Sequence, residues 1–281
     1  MKSLPPTPKK SLKVAVVQMT SVDDVHANVQ SVMHILSELR GKSCDLVCLP
    51  ENALFLRINK KSDLAVGALN LKEDFWRDFQ KFSKAQKCAL IFGSVSVRRG
   101  KKCVNATVVV LPGQAPKVVY EKIHLFDVDV KGAPPVRESD YYVAGRKPQI
   151  LKFKGWNIGL SICYDMRFSE LYAKYAKKNA HLLLVPAAFL VPTGRAHWHV
   201  LLRARAIESQ AFVVSAAQSG GHKNKQGDTR ETYGHSLIVN PWGEVLSDLG
   251  EDGAAMTILT LQPEDLQNMR RQIPMVHHRR L

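Results

Sequence analysis

The sequence predicts an α/β fold, a four-layer α-β-β-α sandwich made of two mixed β-sheets with helices on the outside. The order strand, helix, strand occurs twice, in residues 12–49 and in residues 156–186. Each occurrence leads into a meander of mostly antiparallel strands. A chain of 281 residues is long enough to bury a substantial core.

The first sheet is predicted from apolar segments that turn residues separate. Residues 25–40 carry apolar side chains at helical spacing and end at Gly41, and residues 74–87 form a second helix. The strands are residues 12–19, 44–49, 88–97, 102–111 and 117–122. A long polar loop, residues 123–146, follows them, and loops of this length usually line a site.

The second sheet repeats the alternation. Helices are predicted over residues 167–180, 196–208 and 261–272, and an exposed Gly-rich loop over residues 219–229. The strands are residues 156–162, 181–186, 212–217, 233–240, 244–249 and 254–259.

Charge is concentrated at the two ends of the chain. The formal net charge is +15, and eight of the excess positive charges lie in residues 1–13 and 270–281. We expect residues 1–11, which contain three prolines, to be disordered, and residues 12–281 to form a single domain with an irregular basic C-terminal tail. No basic stripe interleaved with aromatic residues indicates nucleic-acid binding, so no nucleic-acid partner is expected.

The composition also indicates in which cellular compartment the protein resides. No apolar run approaches the length of a membrane span, and residues 1–11 lack the apolar core of a signal peptide. Five scattered cysteines do not form a disulfide framework, and the spacing of Cys44 and Cys48 is a poor zinc signal. The terminal residues 279–281 lack the small residue of a peroxisomal signal. We therefore expect a cytoplasmic protein.

Three polar residues stand where predicted strands end. Cys163 lies where a strand becomes a helix, a position whose unpaired amides favour a thiolate and a neighbouring oxyanion. Glu51 ends a buried strand, and Lys122 ends the first meander. Taken singly, Cys163 could be a buried core cysteine and Glu51 a solvated loop acid. Taken together, they supply a thiol, a base and a cation, which are the groups that nucleophilic catalysis requires.

The motifs around these residues resemble those of the nitrilase superfamily of carbon-nitrogen hydrolases. The similarity extends from about residue 14 to residue 280. It is carried by residues 49–52 (LPEN), 120–128 (YEKIHLFDV), 162–168 (ICYDMRF), 186–189 (PAAF), 193–198 (TGRAHW), 233–236 (YGHS) and 240–243 (NPWG). The resemblance implies a nitrilase-like fold and a catalytic triad of glutamate, lysine and cysteine.

Carried onto this sequence, the resemblance implies Glu51 as general base, Lys122 as the cation beside the oxyanion and Cys163 as nucleophile. It also implies that the Tyr164 amide completes the oxyanion hole and that Glu138 is a second acid beside the lysine. No cofactor and no metal are expected. His197 and His199 lack a further ligand at suitable spacing, although His199 departs from the glutamate that relatives commonly carry after the His-Trp pair.

The resemblance is to the Nit branch, which implies cleavage of a small carboxylate-bearing amide. Deaminated glutathione is the expected substrate and α-ketoglutaramate the alternative. Arg167 is the candidate for the substrate carboxylate, unless it forms a structural ion pair. The resemblance also implies a homodimer or higher homo-oligomer. A different class of function, a binding scaffold that docks on polyanions through its basic ends, stays open at this point.

Overall fold

The computed structural model describes residues 3–59, 67–131, 135–251 and 253–280. Its strands are β1 (Leu12–Gln18), β2 (Leu46–Leu49), β3 (Ala89–Arg99), β4 (Lys102–Val110), β5 (Lys117–Glu121), β6 (Asp127–Val128), β7 (Val136–Arg137), β8 (Ile150–Phe153), β9 (Trp156–Leu160), β10 (Leu182–Leu184), β11 (Phe212–Ser215), β12 (Ser219–Lys223), β13 (Thr229–Tyr233), β14 (Leu237–Val239), β15 (Val245–Asp248) and β16 (Ala255–Leu261). Its helices are α1 (Val25–Ser37), α2 (Phe75–Gln86), α3 (Ser169–Lys177), α4 (Val191–Ser209), α5 (Pro263–Gln272) and α6 (Met275–His278), with 3-10 turns at Glu138–Asp140 and Cys163–Arg167.

Two six-stranded mixed sheets form the centre of the molecule. The first has the order β16-β1-β2-β3-β4-β5 and the second the order β15-β14-β11-β10-β9-β8. In each sheet the central strands are parallel and the outer strands antiparallel. The predicted sandwich of two mixed sheets with outer helices is confirmed.

Alternation along β1 explains how the layers pack. Val14 and Val16 face the other sheet, where they join a core that includes Ile158 and Leu182. The intervening side chains of β1 face α1 and α2 and join an outer core with Phe79. Successive side chains of a strand point to opposite faces, so one apolar run serves both layers.

Several segments differ from the sequence-based expectations. The predicted loop 219–229 contains the hairpin β12-β13, β8 was not foreseen, and α4 begins at Val191. Two-residue pairing between β6 and β7 and a 3-10 turn organise the described part of the predicted loop 123–146. The first strand of this hairpin, with the sequence SGGHK, carries none of the β-branched or aromatic residues that are typical of strands, so it was predicted as a loop.

Residues 3–11 contact the fold through backbone carbonyls. The carbonyl of Pro6 accepts hydrogen bonds from Asn179 Nδ2 at 2.8 Å and His181 Nε2 at 3.0 Å. The carbonyl of Lys10 accepts from Trp156 Nε1 at 3.0 Å. Proline cannot donate but leaves its carbonyl available, so a Pro-rich segment can be held by donors from the fold.

Within the described part of the chain, no helix combines the length and the apolar character that crossing a bilayer requires.

Candidate active site

Strand ends from both sheets bring Glu51, Lys122 and Cys163 together, and the 3-10 turn after β7 adds Glu138. Glu51 follows β2 and Lys122 follows β5, and both strands terminate at the same end of the first sheet. Cys163 follows β9 in the second sheet. The Glu51 carboxylate crosses to the second sheet, where its Oε2 accepts a hydrogen bond from the Ala188 amide at 2.9 Å.

Lys122 lies between two carboxylates. Its Nζ is 3.0 Å from Glu51 Oε1 and 2.9 Å from Glu138 Oε2. The lysine is 2 % exposed, so its ion pairs with the two carboxylates are held away from water. Burial by itself would lower the pKa of Lys122, but the negative charges of Glu138 and Glu51 outweigh it and raise the pKa well above its usual value. The lysine therefore remains an ammonium ion.

Asn105 from β4 is a site residue that the sequence reasoning missed. Its Nδ2 donates to Glu51 Oε1 at 3.2 Å and to Glu138 Oε1 at 3.1 Å. The side-chain amide of Asn105 thus holds both carboxylates in position around Lys122. The available signal was a buried polar residue inside an otherwise apolar strand, which requires a hydrogen-bond partner.

Cys163 occupies a strained backbone position at the start of its 3-10 turn. Its φ angle is +47°, in the left-handed region that non-glycine residues seldom adopt, and its amide donates to the Pro186 carbonyl at 2.8 Å. The thiol is buried, and the charges of Glu51 and Lys122 both act on it. Strain of this kind is typical of functional positions.

The expectation that the thiol ionises easily is wrong for this state of the protein. Burial and the charge of Glu51 raise the pKa of Cys163 well above its usual value, although Lys122 opposes the shift. The helix α3 begins only at Ser169, so Cys163 does not lie at the end of an α-helix dipole. The thiol needs a base, and the Glu51 carboxylate lies close enough for its charge to act on the thiol.

Asp165 fixes the cysteine turn to the segment that carries Lys122. It is fully buried and accepts from the Ile162 amide at 2.9 Å and from the Tyr120 hydroxyl at 2.7 Å. Its other oxygen accepts from the His124 amide at 2.9 Å. Tyr120 and His124 flank Lys122, so one carboxylate sets the position of the nucleophile relative to the cation.

The second acid, Glu138, also orders the loop that carries it. Its Oε2 accepts from the Phe126 amide at 2.6 Å, and the Glu138 carbonyl accepts from the Tyr142 amide at 2.9 Å. The loop is thus folded back onto Lys122 by the same carboxylate that balances the lysine's charge.

Aromatic rings and arginines border the catalytic cluster. Tyr164 follows the cysteine in the first turn of the 3-10 segment, where amides lack partners within the helix. Arg167 is half-buried, lies over the rings of Tyr164 and Phe189, and contacts His197 Nδ1 at 3.1 Å. Among the described residues no carboxylate forms an ion pair with Arg167, so the structural ion pair considered for it is not seen there.

Arg230 is a second arginine that the sequence analysis did not single out. Its Nη1 donates to the Arg57 carbonyl at 2.8 Å, and its charge interacts with Glu51, Cys163 and Glu138. Burial lowers the pKa of Arg230 although these charges oppose the shift, and the guanidinium stays ionised. Within the described ranges no carboxylate lies within ion-pair distance of it.

One group of side chains away from the catalytic cluster has the donors of a metal site. The ligand atoms of His199, His235 and Asp248 lie within 4.8 Å of one another. Asp248 receives hydrogen bonds from both rings, at 2.8 Å from His199 Nε2 and 2.9 Å from His235 Nδ1. His197 does not belong to this group. Because each histidine already uses the nitrogen facing Asp248, the contacts present explain the cluster without an ion.

The chain is similar to known proteins over nearly its whole length. Residues 13–271 match the family model for carbon-nitrogen hydrolase. The chain is 35% identical over 273 residues to deaminated glutathione amidase of Synechocystis, with 96% of this chain and 98% of that protein covered. It superimposes on the crystal structure of the C. elegans NitFhit protein with a TM-score of 0.86 at 32% identity, covering 97% of this chain and 66% of that chain. It also matches Saccharomyces cerevisiae Nit3, described as a member of branch 10 of the nitrilase superfamily, with a TM-score of 0.81 at 27% identity over 99% of this chain and 100% of that chain.

Proposed function

This chain belongs to the carbon-nitrogen hydrolase family and is an amidase of the nitrilase superfamily, and from this premise we propose that it hydrolyses deaminated glutathione to 2-oxoglutarate and Cys-Gly. The observation that carries the proposal is the convergence of a buried thiol with a paired carboxylate and lysine whose charges act on it. Relatives of similar length that carry the name deaminated glutathione amidase support the choice of substrate.

The first half of the proposed reaction forms a thioester. Glu51 takes the proton of the Cys163 thiol as sulfur attacks the amide carbonyl. The resulting oxyanion is stabilised by Lys122 Nζ and by the Tyr164 amide. Glu51 then gives the proton to the departing amine as the carbon-nitrogen bond breaks.

The second half returns the enzyme to its starting state. Glu51 accepts a proton from water while the water oxygen attacks the thioester. The carbon-sulfur bond breaks, the acid is released, and Glu51 returns the proton to Cys163. Glu138 and Asn105 hold Lys122 and Glu51 in place and touch neither reacting atom, so we assign them as positioning residues.

Arginines bordering the cluster support a carboxylate-bearing substrate. Arg167 and Arg230 both lack a carboxylate partner within the described ranges. A guanidinium binds a carboxylate through two parallel hydrogen bonds, and such charge-assisted bonds contribute about 1.5–3 kcal/mol. Replacing Arg230 by glutamine should therefore raise KM roughly 10- to 100-fold with little change in kcat. The matched control is Lys223→Gln on the same hairpin, where no change is expected.

A direct test compares deaminated glutathione with α-ketoglutaramate on one preparation. We expect kcat/KM to favour deaminated glutathione by about tenfold or more. The Cys163→Ala variant should be folded and inactive, whereas Cys103→Ala, which removes another buried cysteine, should remain active. Intact and peptide mass of a trapped adduct should show a 2-oxoglutaryl group on Cys163. Turnover of neither compound would refute the proposal, and faster turnover of α-ketoglutaramate would assign the alternative substrate.

We also propose that two copies associate through an apolar surface on α4 and β15. On α4, Val200 is 67 % exposed and Ile207 is also exposed. Trp242, in the turn before β15, is 50 % exposed, as Val245 and Leu246 of β15 are in part, and Gly243 in the same turn packs against Ile207. Such patches on a folded protein mark interaction surfaces. Val200→Lys should shift the species seen by sedimentation from dimer to monomer, and a monomeric wild type would contradict the proposal.

Five cysteines, all unpaired, favour a cytoplasmic location.

A further inference from the structure

A basic cavity of about 300 Å³ lies at the opposite end of the second sheet from the catalytic cluster. Asn179 and Gln210, which precede β10 and β11, line it, whereas Cys163 and Ala188 follow the carboxyl ends of β9 and β10. This volume is at the lower end of the range for small-molecule sites. The two sites are therefore separated by the length of the strands.

Four cations line this cavity, namely Lys177, Arg270, Arg279 and Arg280. Arg270 is 5 % exposed, and its guanidinium donates to neutral oxygens: Asn179 Oδ1 at 2.7 Å and the Ala180 carbonyl at 2.9 Å. No carboxylate of the described residues pairs with any of the four. A buried cation without a counter-charge is costly, and burial lowers the pKa of Arg270 to about 10.

Helix ends account for only part of this positive charge. The helices α3, α4 and α5 all end near the cavity, and Arg279 donates to the Glu208 carbonyl in the last turn of α4. Each helix C-terminus offers about half a negative charge. Three such ends leave the four cations in excess.

A buried hydroxyl in the cavity gives an independent indication. Ser209 lines the cavity and is 4 % exposed, and its Oγ has no hydrogen-bond partner. Buried polar atoms are rarely left unpaired in proteins. The Oγ is closed off from solvent in this structure, so it would bond to an acceptor held among the cations once its side chain turns into the cavity.

We propose that this cavity binds a small phosphate-bearing anion. A phosphate group carries up to two charges and three terminal oxygens. It therefore matches Lys177, Arg279 and Arg280, above the already bonded Arg270, better than the two oxygens of a carboxylate do. A cavity whose floor is the buried Arg270 admits a small ligand, whereas a nucleic-acid duplex cannot reach it. The basic C-terminal residues thus build a site instead of forming the irregular tail expected from the sequence.

The test is calorimetric titration of the full-length protein with inorganic phosphate at constant ionic strength. We expect one equivalent to bind, and we expect the double variant Arg279→Ala/Arg280→Ala to bind about tenfold or more weakly. The matched control is Arg77→Ala/Lys81→Ala, which removes two exposed cations from α2 and should bind phosphate like the wild type. Amidase kcat/KM of both double variants should stay unchanged.

Further variants and competing ligands test the same cavity. If the alanine double variant does not fold, Ser209→Ala and Arg279→Lys/Arg280→Lys take its place, each with affinity below that of the wild type. No saturable phosphate binding by the wild type, or equal affinity in the cavity variants, would overturn the proposal and leave the cations as partners of the helix ends. Tighter binding of succinate, or displacement of phosphate by RNA, would overturn the assigned ligand class.

Discussion

Replacing Glu138 by glutamine tests how the buried ammonium is held. The two carboxylate oxygens receive hydrogen bonds from Lys122, Asn105 and the Phe126 amide, at 2.6 to 3.1 Å. A glutamine side chain keeps the shape but offers one oxygen, so its NH₂ group faces one of these donors. Every contact lies inside the fold, since the Glu138 side chain is 13% exposed.

The magnitude follows from the contacts that are lost. Breaking a buried ion pair costs about 3–5 kcal/mol, and Lys122 keeps Glu51, so we expect a loss of about 3 kcal/mol in the free energy of unfolding. For a chain of this size that corresponds to roughly 6–9 °C in Tm. Activity should fall about 10²-fold, because the oxyanion cation is no longer fixed.

Chemical denaturation at pH 7 and steady-state kinetics measure the two effects. The matched control is Glu121→Gln, which removes the carboxylate of a more exposed ion pair with Arg99 and should cost less than about 1 kcal/mol. Because Glu138 and Glu51 raise the pKa of Lys122, the alkaline loss of this stabilisation occurs only above pH 10.5, where the lysine gives up its proton. Equal stability of the two variants, with full activity in Glu138→Gln, would refute the assigned role.

Three further predictions concern neighbouring positions. In Glu51→Gln, amide hydrolysis should fall about 10³-fold or more because the general base is absent. The pH midpoint for alkylation of Cys163 should move down, because the negative charge that helps to raise the thiol pKa is gone. An upward shift of that midpoint would contradict the mechanism. Gly93→Ala should destabilise the protein by about 1–3 kcal/mol in denaturation, since a Cβ there would lie 2.3 Å from the Leu49 carbonyl oxygen, whereas Gly221→Ala, with no atom within 4 Å, should be neutral. Burial lowers the pKa of His222 to about 4, so protonation of the unfolded chain should reduce stability by up to about 3 kcal/mol as the pH falls from 6.5 to 4. His222→Gln should flatten that slope in denaturation at pH 7 and pH 5, and an unchanged slope would show that the histidine is not responsible.

The order of buried strands and amphipathic helices was readable from the sequence, because apolar spacing reflects local geometry. Polar residues at the ends of β2, β5 and β9 were visible for the same reason: an acid, a lysine and a cysteine interrupt apolar runs. The motifs around them identified the family, which the comparisons show.

Other features depended on contacts between distant segments. The ionisation of Cys163 was predicted in the wrong direction, since its pKa is set by burial and by Glu51, a residue 112 positions away in sequence. Asn105, Asp165 and Arg230 acquire their roles only when strands from both sheets and a hairpin meet.

The sequence by itself determined the layers of this protein and the residue types available for chemistry, because periodicity and residue type are local properties. Only the tertiary structure decided which charges neutralise one another, which protons are held and where the C-terminal arginines lie. Electrostatic energies depend on distance and burial in space, and neither can be read from spacing along the chain.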